Sequence, residues 1–233
     1  MREEIDRSAR GARVTLRRSG NSIGWNIEAR DQSPADVLGR RLTERLDASQ
    51  AAYLARHLRR RVDERRIMVD FAGATRTLQE PMRPLARALG EDRGIASTDR
   101  ARVAHALAFF QDIPYALLED PSRQGGDFLP GGPALLSQNR GDCDSKAVAL
   151  AAVLRTYAPS RKLVIVTMPG HAILAVDLSP EPGDRQIHAS GRVAGTSLVA
   201  LEAAGPVLIP VGRVGPDTER LLGARDVQIW PLN

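Results

Sequence analysis

Cysteine is nearly absent from this sequence, since Cys143 is the only one among 233 residues. A single thiol excludes an internal disulfide and any metal site built from several cysteines, and we expect no metal and no cofactor. Long apolar runs are absent too, because no stretch approaches the ~18 uninterrupted apolar residues of a membrane span. The N-terminal MREEIDRSAR lacks the apolar core of a signal peptide. The sequence therefore predicts a soluble protein without a membrane span, cytoplasmic as given, or periplasmic or secreted if a signal segment was removed.

Lysine is also scarce, so the net charge of +5 comes almost entirely from arginine. The densest basic run is ARHLRRRVDERR at residues 55–66, and such a run is one signature of nucleic-acid binding. However, Leu54, Leu58 and Val62 recur every four residues, which predicts an amphipathic helix whose arginines face solvent. No aromatic residue lies among these arginines to stack on bases. We therefore expect no nucleic-acid partner.

The hydrophobic periodicity and the turn residues divide the chain into helical and strand-like segments. The predicted segments are a β-hairpin at 12–29, one or two helices within 34–66, a strand and turn at 67–80, a helix at 98–113, a proline- and glycine-rich loop at 119–134, a helix at 142–157 and strands at 162–168, 171–178, 185–189, 197–203 and 206–211. A helix followed by an antiparallel sheet predicts the α+β class. We expect residues 1–97 to form an extension of hairpin and helices, and 98–233 to form the core.

The stretch QNRGDCDSKAVALAAVLR places the one thiol in what is predicted to be the first turn of a helix. Asp142 is a good N-cap, and at the next position the free backbone N–H groups and the helix dipole favour a thiolate. Lys146 adds a positive charge on the same helical face, whereas Asp142 and Asp144 oppose the thiolate. The alternative interpretation is that Cys143 is a small buried residue of a catalytically inactive scaffold.

A nucleophilic cysteine needs a base, and the chain has four histidines. His57 lies in the arginine-rich run, His105 in a predicted helix and His188 in a short polar strand. His171 differs from these, because Pro169-Gly170 breaks one strand and His171 begins the next. Side chains at strand ends often face a cleft. The sequence therefore favours His171 as the partner of the thiol.

Three blocks of the sequence together resemble the transglutaminase-like superfamily. GDCDSKAVALAAVLR resembles its cysteine block, VTMPGHAILAVDL its histidine block and LVALEAAGP its acid block, within a similarity that spans about residues 98–212. Bacterial members include transglutaminase-like cysteine proteinases. The resemblance implies a papain-like fold, with the nucleophile helix packed on an antiparallel sheet, and a triad of Cys143, His171 and Glu202. The acid block departs from the usual Asp-Pro-Thr of the family, since Ala203 and Ala204 follow Glu202.

The resemblance also implies an activity, which is thiol-dependent acyl transfer from amide bonds of a protein or peptide. The acyl group would pass to water, as in a protease or amidase, or to an amine, as in a transglutaminase, and the sequence leaves both open. An oxyanion hole would combine the backbone N–H of Cys143 with one more donor, for which Gln138 and then Gln111 are candidates. The alternative function is an inactive scaffold that binds an acidic partner.

Two carboxylates compete for the third place in the triad. Asp177 would share one face of a strand with His171, but six residues of strand span roughly 20 Å, far beyond a hydrogen bond. Glu202 would reach His171 if strand 171–178 paired directly with strand 197–203 and so placed the two residues opposite each other. A plain three-stranded meander would instead leave Glu202 five residues away. We expect the direct pairing and therefore Glu202.

Overall fold

A computed structural model describes the chain over 12–19, 22–29, 32–63, 66–92, 94, 97–117, 132–188, 195, 197–205, 207–223 and 226–232. Its helices are α1 (Gln32–Arg56), α2 (Phe71–Glu91), α3 (Asp99–Asp112), α4 (Gly132–Gln138), α5 (Cys143–Tyr157) and α6 (Pro216–Leu222). Its strands are β1 (Ala12–Ser19), β2 (Ser22–Ala29), β3 (Arg59–Arg61), β4 (Ile67–Val69), β5 (Leu163–Met168), β6 (His171–Asp177), β7 (Gln186–His188), β8 (Ser197–Leu201) and β9 (Gln228–Pro231). This mixture of helices and antiparallel strands confirms the predicted α+β class.

The largest described sheet has five strands in the order β7-β8-β6-β5-β9, and each neighbouring pair is antiparallel. A tight turn joins β5 to β6, where Met168 pairs with His171 and Gly170 adopts a φ of +71°. Such a φ favours glycine. Strand β6 pairs directly with β8, which confirms the predicted pairing of strand 171–178 with strand 197–203, and β7 lies on the other side of β8. The turn and this pairing together set the position of His171.

Three helices of the core begin at side-chain caps, which satisfy backbone N–H groups left free in the first turn. Asp70 accepts a hydrogen bond from Gly73 N at 3.1 Å at the start of α2. Thr98 does the same for α3, and Asp142 accepts from Ser145 N at 3.1 Å at the start of α5. The cap predicted at Asp142 is therefore confirmed, and it makes Cys143 the first residue of its helix.

The hydrophobic core is formed where α5 packs between the sheet and the two helices α2 and α3. Leu150 of α5, Leu107 of α3 and Leu78 of α2 belong to one cluster of buried side chains. Each fully buried leucine contributes about 1.5–3 kcal/mol through the loss of exposed apolar surface. Because α2 lies within residues 1–97, this core extends across the domain boundary expected at residue 97.

Several predicted elements take another form in the structure. The helix expected through 55–66 ends at Arg56, because Leu58 adopts a left-handed φ of +51° and Arg59–Arg61 then pair with Ile67–Val69. Residues after β4 form α2 rather than a turn, since their apolar side chains recur at helical spacing from Phe71 onward. The arginine run therefore supplies a strand rather than a helical face.

The strand expected at 206–211 is wrong within the described residues 207–211. Both the N–H and the carbonyl of Ile209 are bound by the side-chain amide of Gln111, which takes the place of a neighbouring strand. The two edges of this five-stranded sheet are formed by β7 and β9. Of the loop expected at 119–134, residues 132–134 begin α4 and 119–131 lie outside the described residues.

Among the helices described, none combines the length and the apolar character that crossing a membrane requires.

Candidate active site

The position of Cys143 is built by the first turn of α5 and by a neighbouring loop. Cys143 is partly exposed at the first helical position. Two backbone hydrogen bonds, Gly141 N to Pro114 O at 3.2 Å and Ala116 N to Gly141 O at 3.1 Å, fasten the loop beside the thiol. They place the hydroxyl of Tyr115 within hydrogen-bonding range of the side chain of Cys143.

His171 lies between the thiol and a carboxylate. Its Nε2 is 3.0 Å from Oε1 of Glu202, and its ring also lies within hydrogen-bonding range of the Cys143 side chain. Because Nε2 faces Glu202, the nitrogen left for the thiol is Nδ1. The structure thus brings together the three residues predicted for the triad, in the chain of contacts that a thiol, a base and an orienting acid require.

Glu202 reaches His171 from just beyond the end of β8. Leu174 pairs with Leu201, so Glu202 lies level with Ile173 and two residues away from the expected position opposite His171. Alternate residues of a strand share one face, so the long carboxylate side chain still spans this diagonal. Glu202 is only 3% exposed, and its Oε2 accepts a hydrogen bond from Thr218 Oγ1 at 2.5 Å.

The other predicted candidates lie elsewhere. Asp177 is at the far end of β6, where Oδ1 accepts a hydrogen bond from Lys162 N at 2.7 Å. Gln138 is exposed at the end of α4, and its Oε1 accepts a hydrogen bond from Arg140 Nε at 3.2 Å. Neither side chain is brought to the thiol.

Gln111 is buried, and its amide hydrogens are already engaged. Nε2 donates to Glu202 O at 2.8 Å and to Ile209 O at 2.9 Å, which uses both N–H groups. The structure therefore places Gln111 behind the site, where it holds the backbone of the segment that carries Glu202. As an oxyanion donor it would first have to break these bonds.

The environment of His171 favours the imidazolium form. Burial on its own lowers the pKa of His171, but hydrogen bonds to Cys143 and Glu202 and the negative charges of both raise it to about 10. Burial raises the pKa of Tyr115 to about 12, together with the nearby charges of Cys143 and Asp142. At neutral pH the site therefore holds a proton on His171 and a phenol that can donate a hydrogen bond.

Two further ionisable groups flank the thiol along α5. Burial raises the pKa of Asp144 to about 8, and a hydrogen bond with Asp142 and the charge of that carboxylate act in the same direction. Asp144 is therefore mostly neutral at pH 7, so it opposes a thiolate less than its sequence position suggests. Burial lowers the pKa of Lys146 to about 8, against the charge of Glu202.

A cleft of about 460 Å³ opens beside Cys143 and His171. Its walls come from both halves of the chain and are mostly apolar. The lining residues are Arg59, Met68, Val69, Phe71, Tyr115, Leu117, Asp142, Cys143, Asp144, Thr167, Met168, Gly170, His171 and Ala172. A second cavity of about 320 Å³ shares Tyr115, Gly170 and His171 with the first and is otherwise lined by Ala204, Gly205, Asp217, Thr218 and Leu221. The two residues that contact the thiol thus stand between two cavities.

Sequence reasoning missed three residues of this site: Arg59, Tyr115 and Thr218. Tyr115 lies between the predicted helix 98–113 and the cysteine block, but its place beside the thiol depends on the bridge to Gly141. Thr218 approaches Glu202 from α6. No local pattern marks Thr218, because its partner is reached only through the tertiary fold.

Comparison of the chain with protein-family models, with curated proteins and with solved structures finds no match. The resemblance to the transglutaminase-like superfamily therefore rests on the three sequence blocks alone.

Proposed function

We propose that this chain is a thiol-dependent acyl-transfer enzyme that acts on amide bonds of protein or peptide substrates. Cys143 is the nucleophile, His171 the acid and base, and Glu202 the residue that orients the imidazole. The observation that supports this proposal is the position of His171, which contacts Glu202 at 3.0 Å and lies within hydrogen-bonding range of Cys143 at the same cleft. A packing cysteine requires no such arrangement.

Acylation begins from the imidazolium form of His171. The Cys143 sulfur attacks the amide carbonyl carbon, and the C=O electrons move to the oxygen of a tetrahedral intermediate. When this intermediate collapses, the C–N bond breaks, His171 gives its proton to the leaving amine, and a thioester remains on Cys143. Glu202 keeps the ring oriented and stabilises its positive charge between these steps.

The oxyanion needs donors that are already in place. The backbone N–H of Cys143 belongs to the first helical turn and has no partner within the helix. The hydroxyl of Tyr115 contacts the thiol from the side of the cleft and remains a donor at neutral pH. We assign these two groups to the developing oxyanion, in place of Gln138 and Gln111.

Deacylation completes the cycle. Neutral His171 takes a proton from the attacking water or amine, the new bond to the carbonyl carbon forms, and the C–S bond breaks with return of the thiolate. Water gives hydrolysis, and an amine gives a new amide. Both nucleophiles require the same residues, and the second cavity offers an approach beside His171.

Alkylation of the one thiol tests the proposal without knowledge of the substrate. The imidazolium of His171 stabilises the thiolate, so we expect Cys143 to react with iodoacetamide at pH 6 faster than glutathione does. Mass spectrometry of the intact protein reports the reaction, since the chain has no other cysteine. A matched variant, His171→Asn, should react more slowly than the wild type. A wild-type rate no higher than that of glutathione would contradict the enzyme proposal and favour an inactive scaffold.

A further inference from the structure

Lys146 is a charged residue that the proposed mechanism does not use, and it is completely buried. It lies in α5, three residues after Cys143. Burial of an ammonium group is costly unless its hydrogens find acceptors. The contacts of Lys146 therefore indicate why a lysine is present at this place.

The ammonium of Lys146 connects the helix that carries Cys143 with the segments that carry Tyr115 and Glu202. Nζ donates to Ile113 O at 2.6 Å and to Ala204 O at 3.0 Å. Ile113 lies two residues before Tyr115, and Ala204 lies two residues after Glu202. One side chain on the nucleophile helix thus binds the backbone beside the phenol and the backbone beside the carboxylate.

The surroundings of Lys146 are shaped around its stem. A Cβ atom at Gly141 would lie 3.2 Å from Cγ of Lys146 and 2.9 Å from Leu135 Cδ1, so any larger residue there would displace one of them. Both carbonyls can also keep a donor when the ammonium loses a proton, because a neutral amine still has two hydrogens. The connection therefore depends on the presence of the amine more than on its charge.

We propose that Lys146 is a positioning residue, whose ammonium holds Tyr115 and Glu202 in place relative to Cys143. Its effect on turnover rests on the proposed function, whereas its effect on geometry can be measured without a substrate. Removal of the amine would leave the carbonyls of Ile113 and Ala204 without their donor. The segments that carry Tyr115 and Glu202 would then shift, and His171 would lose part of its contact with Glu202.

The test is the titration of His171 by NMR in the wild type, in Lys146→Met and in Tyr157→Phe. Tyr157 is a matched control, because it lies in the same helix and its hydroxyl donates to a backbone carbonyl, Leu89 O, at 3.1 Å. In Lys146→Met we expect the pKa of His171 to fall by about one pH unit or more as the contact with Glu202 loosens. Tyr157→Phe should leave this pKa unchanged.

The direction of the shift separates positioning from charge. Loss of a nearby positive charge alone would raise the pKa of His171 or leave it as it is, because a like charge disfavours the imidazolium. An unchanged or raised pKa in a folded Lys146→Met variant would overturn the proposal. Lys146→Gln, which keeps one amide donor, should show an intermediate fall. If neither variant folds, the role of Lys146 is in folding, and the proposal is equally overturned.

The same samples distinguish this proposal from the proposed function. A wild-type His171 that titrates near 6.5, with a thiol no faster than glutathione, contradicts the enzyme proposal itself. The other outcome is a wild type with a raised His171 pKa and a thiol that reacts faster than glutathione. If the His171 pKa is then the same in Lys146→Met, only the role of Lys146 is contradicted. With a working amide substrate we further expect kcat to fall about 10-fold or more in Lys146→Met with KM little changed.

Discussion

His171 and Glu202 interact diagonally across two strands: their side chains meet at 3.0 Å although the register places Ile173 level with Glu202. The carboxylate of Glu202 stabilises the positive charge of the His171 imidazolium. We therefore expect Glu202→Gln to lower kcat on an amide substrate by about 10²-fold or more. The amide keeps a hydrogen-bond acceptor but loses the charge. Steady-state kinetics and circular dichroism together measure activity and fold.

Asp177→Asn is the control for this prediction, since Asp177 binds the backbone N–H of Lys162 and not His171. It should leave kcat almost unchanged. Full activity in Glu202→Gln, or a loss confined to Asp177→Asn, would show that another residue orients the ring.

Tyr115 offers a second test, because its hydroxyl contacts the sulfur of Cys143. If the phenol binds the oxyanion, Tyr115→Phe should lower kcat by about 10²-fold and change KM little, since the bond is strongest in the transition state. The phenylalanine still fills the space between the two cavities. A rise in KM with kcat unchanged would instead assign Tyr115 to substrate binding. Unchanged kcat and KM would show that Tyr115 has no part in the mechanism.

Asp144 is expected to make stability depend on pH. Burial and the neighbouring Asp142 raise its pKa in the folded chain to about 8, whereas an unfolded aspartate titrates near 3.9. Between these values the folded state holds a proton that the unfolded state has released, so stability falls as pH rises from about 4 to about 8. Asp144→Asn, which needs no proton, should avoid that loss.

We therefore expect Asp144→Asn to have a higher Tm than the wild type. The difference in Tm should grow from pH 4 to pH 8 and stay constant above pH 8. For a chain of this size, each kcal/mol by which the variant gains free energy of unfolding over the wild type should raise its Tm by about 2–4 °C. Scanning calorimetry at several pH values measures the gap. A wild type that is the more stable at pH 8 would show that Asp144 is charged in the folded state and stabilises it.

Much of the site was predictable because its signals are local. Asp142 caps a helix that begins at Cys143, and Pro169-Gly170 starts a strand at His171. The pairing of β6 with β8 was predicted as well, although the register differs by two residues. Local rules determine which face a side chain occupies, whereas turn lengths and tertiary packing determine the register.

The remaining site residues depend on contacts that are distant in sequence. Arg59 was expected in a helix, because the spacing of Leu54 and Leu58 is helical. In the structure the helix ends at Arg56, Leu58 adopts a left-handed φ, and Arg59–Arg61 become a strand because Ile67–Val69 are available to pair with them. Short strands of this kind carry almost no periodic signal, so residues 1–97 gave no sign that they form a wall of the cleft.

That wall leads to a prediction about substrate binding. Met68 of β4 lines the cleft, whereas its neighbour Ile67 is 53% exposed and does not. Met68→Trp should fill part of the cleft and raise KM for a peptide substrate about 10-fold, and Ile67→Trp should leave KM unchanged. Because the small reagent iodoacetamide needs little room, both variants should keep the wild-type alkylation rate at Cys143. A slower alkylation in Met68→Trp would mean that the substitution disturbs the thiol itself. An unchanged KM would mean that the acyl donor does not bind against Met68.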